Sequence, residues 1–445
     1  MFARYAMTQN NAKQGYRIAL LLIGCLFFIF GFITWSNSQL IPYLKIACEL
    51  TLAESYLVAT AFFAAYFFMA LPSSYILQKT GYKKGMSIGL FVMAAGALLF
   101  IPAANARSYP LFLCGLFVIG TGLALLQTAS NPYVAELGPY ESAAQRISIM
   151  GICNKVAGII AVYVLGRITL SNADELLARL ATLGASEKAA ELDALAQKVV
   201  MPYGIIALSL AVLGVAMLFV HLPEINEEED AADTALSAGK TSVLQFPHLL
   251  LGALAIFFYV GAEVISYDTF AAFGQHLGYT LEQAKSFASF TGYGLLAGYV
   301  VGIIAIPKFI SQQKALLGFT LLSILLVFVA VYSKGTVAVA SFAMLGFSNS
   351  VMWPAIFPLA LKGLGRFTKT GAALLIMGIV GGAVLPPLYG KIGQAIGDVQ
   401  QAYLLLLPCY LFILFYAMKG HKIGYKVPAA TTSDAVLDFS KRSDT

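Results

Sequence analysis

A chain of 445 residues that is 59% hydrophobic and only 11% charged, with a mean hydropathy of +0.79, cannot hide its apolar surface in soluble domains, where roughly a quarter of residues are charged. The net charge of +6 does not indicate nucleic acid, because the basic residues sit singly at the ends of apolar runs and form no stripe or tail. Five cysteines, Cys25, Cys48, Cys114, Cys153 and Cys409, fall mostly inside those runs with no ligand spacing, which argues against a disulfide framework and against a structural metal.

In chain order, runs long enough to cross a bilayer lie at Ile18 to Leu44, Glu54 to Leu77, Lys84 to Ala104, Ser108 to Tyr133, Arg146 to Leu170 and Met201 to His221. The first is long and lacks a small-residue cleavage site, so it is expected to stay as a helix and not to be a cleaved leader. The segment Ser171 to Val199 reads as one or two amphipathic helices on the surface. An acidic stretch from Pro223 to Gly239, holding Glu227, Glu228, Glu229 and Asp230, is too charged to enter lipid. Six further runs follow at Phe246 to Phe273, Lys285 to Phe309, Ala315 to Ser333, Gly335 to Leu361, Thr370 to Ile396 and Ala402 to Met418.

The expected fold is therefore an all-α membrane protein of twelve transmembrane helices in two pseudo-symmetric six-helix bundles. The boundaries are 1–221 for the first bundle, with its outer loop 171–199, then 222–245 for the linker, 246–419 for the second bundle and 420–445 for the tail. An internal echo supports the duplication: Ile149-Met150-Gly151-Ile152 in the fifth run recurs as Ile376-Met377-Gly378-Ile379 in the eleventh. With both termini placed in the cytoplasm, eighteen of the 28 Lys and Arg residues fall on the inner side and nine on the outer, as the positive-inside rule requires.

One basic residue belongs to neither side. Lys155 lies near the middle of the fifth run, and Glu263 near the middle of the seventh, where an unpaired charge costs about 3 kcal/mol or more. In a two-bundle architecture these runs border the central cavity, so the two charges are expected to pair there and to serve function, with a purely structural pair as the alternative. Asp268, one to two turns further out, reads as an interfacial residue. At similar depth stand Trp35 and Asn37 in the first run, Gln127 and Asn131 in the fourth, Asn154 in the fifth, and Asn349 and Trp353 in the tenth. Amides pair with hydroxyls and an indole stacks on the apolar face of a pyranose ring, which makes these seven residues, together with Lys155 and Glu263, a candidate sugar site. The structural alternative for each Asn is interhelical glue, and for each Trp an interface anchor.

No Gly-rich phosphate loop and no His-Glu-x-x-His appear, and His221, His248, His276 and His421 form no cluster. No enzymatic activity, cofactor or metal is expected, and transport must draw on a solute or ion gradient.

Leu126-Gln127-Thr128-Ala129-Ser130-Asn131-Pro132-Tyr133, Gly31-Phe32-Ile33-Thr34 and Phe347-Ser348-Asn349-Ser350-Val351-Met352-Trp353-Pro354 resemble the fucose permease branch of the major facilitator superfamily. Phe257-Phe258-Tyr259-Val260-Gly261-Ala262-Glu263 is similar to its bacterial glucose/galactose and N-acetylglucosamine permeases. The resemblance implies a proton- or sodium-coupled hexose importer of the bacterial inner membrane; a sugar uniporter, a fucose symporter and a membrane solute sensor are the alternatives, and a monomer is expected because one chain holds both halves of the pore. It also implies a departure, since the fucose permease has carboxylates where this chain has Ser38 and Gln127. Neither can carry a proton, which moves the expected coupling role to Glu263 with Lys155.

Overall fold

The computed structural model describes residues 2–50, 52–55, 57–169, 173–220, 240–279 and 281–424. The side chains of Asn37, Ser38 and Asp268 lie outside the described residues, as do most of the acidic linker and the tail beyond residue 424. Among the described residues, ten stretches are long and apolar enough to cross a membrane. One of them, Leu57–Asn105, has 49 residues, and a continuous helix of that length would run about 74 Å, more than twice the hydrocarbon thickness. It is broken at Gly81, whose φ of 73° and ψ of 173° reverse the chain in a region that L side chains avoid. A shorter apolar stretch, Ser289–Ala305, supplies another crossing, which brings the spans to twelve.

We label them α1 (Phe2–Ala47, apolar from Ala19), α2 (57–80), α3 (82–98), α4 (Tyr109–Glu136), α5 (Ala143–Thr169) and α6 (Val200–Phe219) in the first half. The second half has α7 (Pro247–Asp268), α8 (Leu281–Ala305), α9 (Gln312–Tyr332) and α10, which runs as Gly335–Asn349 and then Met352–Leu361. It ends with α11, running as Thr368–Met377 and Gly381–Ile396 around a 3₁₀ turn, and α12 (Leu406–Met418). The interruption of α10 precedes Pro354, which has no N–H to continue the ladder.

Burial follows the logic of a bilayer: Phe68, Leu208, Phe219 and Tyr332 turn outward, while Tyr43, Tyr66, Tyr259 and Tyr410 are buried inside the bundles. In the first half α1 packs on α5, and α4 and α6 pack on the α2–α3 hairpin; in the second, α7 packs on α11, and α9 on α10 and α12. The halves meet where α2 faces α11 and α5 faces α8. Among the described residues, three hydrogen bonds cross this seam at the end carrying the linker: Ser74 Oγ donates to Thr370 Oγ1 at 3.1 Å, Gln78 Nε2 to the same oxygen at 3.0 Å, and Gln145 Nε2 to the Ile303 carbonyl at 2.7 Å. We call this end the linker side and the opposite one the far side.

Arg146, read from sequence as a topology charge, is almost wholly buried at the start of α5. Its guanidinium donates to the carbonyls of Val134 (2.8 Å), Pro139 (3.0 Å) and Gly138 (3.1 Å), to that of Ala135, and to Ser142 Oγ (2.6 Å). Two of these acceptors, the Val134 and Ala135 carbonyls, belong to the last turn of α4, where the helix leaves carbonyls without intrahelical partners, and the cation sits at the negative end of that helix dipole. The α4–α5 turn is fixed as a rigid clamp. On the far side, the segment 171–199 holds helices Ala173–Leu180 and Ala185–Gln197, tied down where Tyr43 Oη donates to the Leu195 carbonyl at 2.7 Å.

Candidate functional site

Lys155 lies 12 residues into α5, about 18 Å along its axis, too deep for its stem to reach either interface. Its ammonium donates to Glu263 Oε1 of α7 at 2.8 Å, and both side chains are nearly buried. The other carboxylate oxygen accepts from Tyr259 Oη at 2.9 Å, one helical turn earlier on the same face of α7. The ammonium also stands 4.2 Å from the centroid of the Trp35 ring on α1, a cation–π contact. Desolvation is thereby offset on both charges by geometry that would be lost if either partner were removed.

Around this pair lies a cavity of about 170 Å³, lined by both halves, which suits one small polar molecule and little else. Six of the other sequence-predicted residues have placements that can be stated. Trp35, Gln127, Asn131, Asn154 and Trp353 line the cavity with the charged pair. Trp35 Nε1 donates to Asn154 Oδ1 at 3.4 Å, its ring packs over Gly158, and it meets Tyr267 of α7 at 4.7 Å between centroids. Gln127 Nε2 donates to Tyr66 Oη at 3.0 Å. Asn131 Nδ2 donates to the Gln127 carbonyl at 2.9 Å, leaving its Oδ1 buried without a partner, an acceptor ready for a hydroxyl. Trp353 stacks on Phe357 with centroids 5.6 Å apart and presents its indole to the cavity.

Asn349 is a correction to the sequence reading. It is fully buried away from the cavity lining, its Oδ1 accepting from Tyr410 Oη at 2.9 Å and its Nδ2 reaching Ser266 Oγ at 3.4 Å. Both ends of the amide are engaged by α12 and α7, so it fastens the second bundle and is not offered to a solute. Asn37 lies outside the described side chains.

Sequence reasoning missed Thr34, Phe63, Tyr66, Tyr259 and Tyr299, all cavity-lining. Tyr259 had a usable signal, its four-residue spacing from Glu263. Tyr66 and Tyr299 had none, because their partners come from other spans: Tyr66 bonds Gln127 and Thr34, and Tyr299 bonds Tyr259. The result is a ring of phenols, amides, indoles and one ion pair that can surround a polyhydroxylated ring with donors, acceptors and flat apolar faces.

Comparison with known proteins adds four findings. The family model described as the Major Facilitator Superfamily matches residues 23–387. A glucose/galactose transporter of Brucella abortus biovar 1 is 36% identical over 424 residues, covering 93% of this chain and 97% of the relative. An L-fucose-proton symporter of Escherichia coli is 30% identical over 423 residues, covering 93% and 96%. The crystal structure of FucP in the outward conformation superposes with a TM-score of 0.79 at 28% identity, over 91% of this chain and 98% of that one.

Proposed function

The chain belongs to the major facilitator superfamily, and from that premise we propose that it is a proton-coupled carrier that takes up a hexose, of the glucose or galactose type, across a bacterial inner membrane. The observation that carries this reading is the contact of Lys155 with Glu263, one charge from each half, inside the cavity between them. Such a pair is a bistable element: its strength differs between facings of the cavity, so any ligand that alters it shifts the population.

The coupling follows from what protonation does to Glu263. The ionised carboxylate accepts from Lys155 and from Tyr259; a protonated one keeps only part of that capacity and must donate a hydrogen bond of its own. The Lys155 ammonium, still held by the Trp35 face, is then left seeking an oxygen, and a sugar hydroxyl beside Asn154 supplies one. Proton and sugar thus stabilise the same arrangement, which is the thermodynamic requirement for symport. Gln127, Asn131 and the two tryptophans serve as sugar ligands, and the helices 1–221 and 246–419 rock about the site as two bodies. Both termini face the cytoplasm, on the basic side of the sequence, so the linker side is the inner one. The seam bonds there and the similarity to an outward-facing relative support a cavity that opens outward. One chain supplies both halves of the cavity, and the carrier acts as a monomer.

The test is uptake of labelled glucose and galactose into proteoliposomes under an imposed proton or sodium gradient. Wild type accumulates sugar with the proton gradient, while Glu263→Gln exchanges sugar across the membrane but no longer accumulates it. Gradient-independent uptake by both proteins would eliminate coupling through Glu263 and leave a uniporter in which Lys155 is a fixed cation.

A further inference from the structure

A second cavity, of about 540 Å³, opens on the linker side. Its walls come from both halves: Tyr140 and Glu141 on the α4–α5 turn, and opposite them Gln312 at the start of α9, Lys362 at the end of α10, and His421 and Lys422 just after α12. We propose that it binds a phosphate ester carrying a neighbouring hydroxyl, and that the bound ester bridges the two halves on this side.

Gln312 is the decisive residue. It is 4% exposed, it lines the cavity, and neither its amide nitrogen nor its amide oxygen has a hydrogen-bond partner. An unsatisfied buried amide costs about 1–3 kcal/mol, so this one is poised for a ligand that both accepts and donates. The surroundings select an anion. Gln312 opens a 21-residue helix in whose first turn Ser311 takes the N–H groups of Lys314 and Ala315, leaving those of Gln312 and Gln313 without intrahelical acceptors, and Lys362 and Lys422 flank the opening. Glu141 is the acidic residue on the lining, exposed at its rim, and leaves the two lysines in excess.

His421 adds a cation on demand. Burial is the main cause that holds its imidazole below the ordinary value, opposed by its bond to the Tyr416 carbonyl at 2.9 Å, with Lys422 and Lys362 adding to the depression. A phosphate beside it reverses that balance. A fully deprotonated anion would satisfy the amide nitrogen alone; a hydroxyl on the same ligand gives the free amide oxygen its donor. The Arg146 clamp keeps Tyr140 and Glu141 in place before the ligand arrives.

Two sources supply this chemistry, a soluble hexose phosphate and the headgroup of phosphatidylglycerol. Thermal melting of the purified full chain separates them, with glucose 6-phosphate added in neutral detergent, and with nanodiscs of phosphatidylglycerol set against phosphatidylcholine. The expected result is a saturable rise of at least about 2 °C with one or both probes, and its loss in Gln312→Leu and in Lys422→Gln. A rise with the soluble ester assigns a metabolite site, and a rise with phosphatidylglycerol alone assigns a headgroup site. Gln312→Leu without ligand is expected to melt at or above wild type, because it removes the unpartnered amide, so loss of the rise cannot be misfolding. No rise with either probe, an equal rise with chloride at matched ionic strength, or a rise retained in both variants overturns the proposal.

Discussion

In the first half α1 crosses α5 where Gly31 lies against the Asn154 carbonyl, and in the second α7 crosses α11 where Gly381 lies against the Phe257 carbonyl; a Cβ at either glycine would collide with the facing backbone. The two crossings are equivalent in register. Counting from Ile149-Met150-Gly151-Ile152 and Ile376-Met377-Gly378-Ile379, Asn154 corresponds to Gly381 and Lys155 to Gly382. Counting from the contacts themselves, Gly31 corresponds to Phe257 and Asn37 to Glu263. Duplication has therefore kept the close approach of the inner helices and discarded symmetry in the chemistry. One half puts its charge on the fifth helix and the other on the first of its set, so the pair spans the cavity diagonally and neither half can satisfy its charge alone.

The largest expected effect breaks this diagonal. Lys155→Met or Glu263→Leu leaves a buried charge without its partner and is expected to cost about 3–5 kcal/mol, whereas the double variant returns close to wild-type stability. Melting of all three reads the stability, and proton-driven uptake, lost in each, reads the function. A double variant as unstable as the singles would mean that the charges are held by other groups and that the diagonal is incidental.

Next in size come the symmetric contacts. Gly31→Ala and Gly381→Ala each force two helix backbones apart and are expected to lose about 1–3 kcal/mol, to a similar degree, measured as the fall in melting temperature of monodisperse protein. A marked loss in one half only would show that the crossings are not equivalent. A third comparison concerns the two asparagines at similar depth. Asn349→Ala strips partners from Tyr410 and Ser266 and is expected to lower stability by about 1–3 kcal/mol with KM unchanged. Asn131→Ala, which removes an unpartnered cavity acceptor, is expected to raise KM with little effect on melting. The reverse pattern would restore Asn349 to the site.

These two residues also mark how far sequence reaches. Twelve spans were readable because an apolar run of bilayer length has few other uses, and the meeting of Lys155 with Glu263 was readable because a charge at that depth needs a partner. Depth alone does not give azimuth: Asn131 and Asn349 sit at comparable depths, yet one lines the cavity and the other points into its own bundle. Arg146 misled for a related reason, since a basic residue at the end of a run fits the positive-inside rule whether it faces water or, as here, caps a neighbouring helix. Tyr66 and Tyr299 gain their place only from helices distant in sequence, and nothing local announces it.

The smallest effect tests an asymmetry outside the bilayer, the surface helices 173–180 and 185–197 that follow α5 in the first half. Lys188 on the second of them pairs with Glu49 beyond the end of α1 at 2.7 Å, with both side chains substantially exposed. The hydrogen bond from Lys188 is the main cause that holds the Glu49 carboxyl below the usual carboxylate value, reinforced by the charges of Lys188 and Arg107 and opposed by slight burial. A depressed carboxyl contributes stability that is complete above the unfolded value of about 4.3 and is lost as the pH falls through the folded one, because the unfolded chain then binds the proton first. Solvent screening limits the contribution to below about 1 kcal/mol. Glu49→Gln is therefore expected to melt slightly below wild type at neutral pH, with the gap closing on acidification and closing again at neutral pH in about 1 M salt. A gap that survives both treatments would assign the effect of Glu49 to packing of the surface helices instead of to its charge.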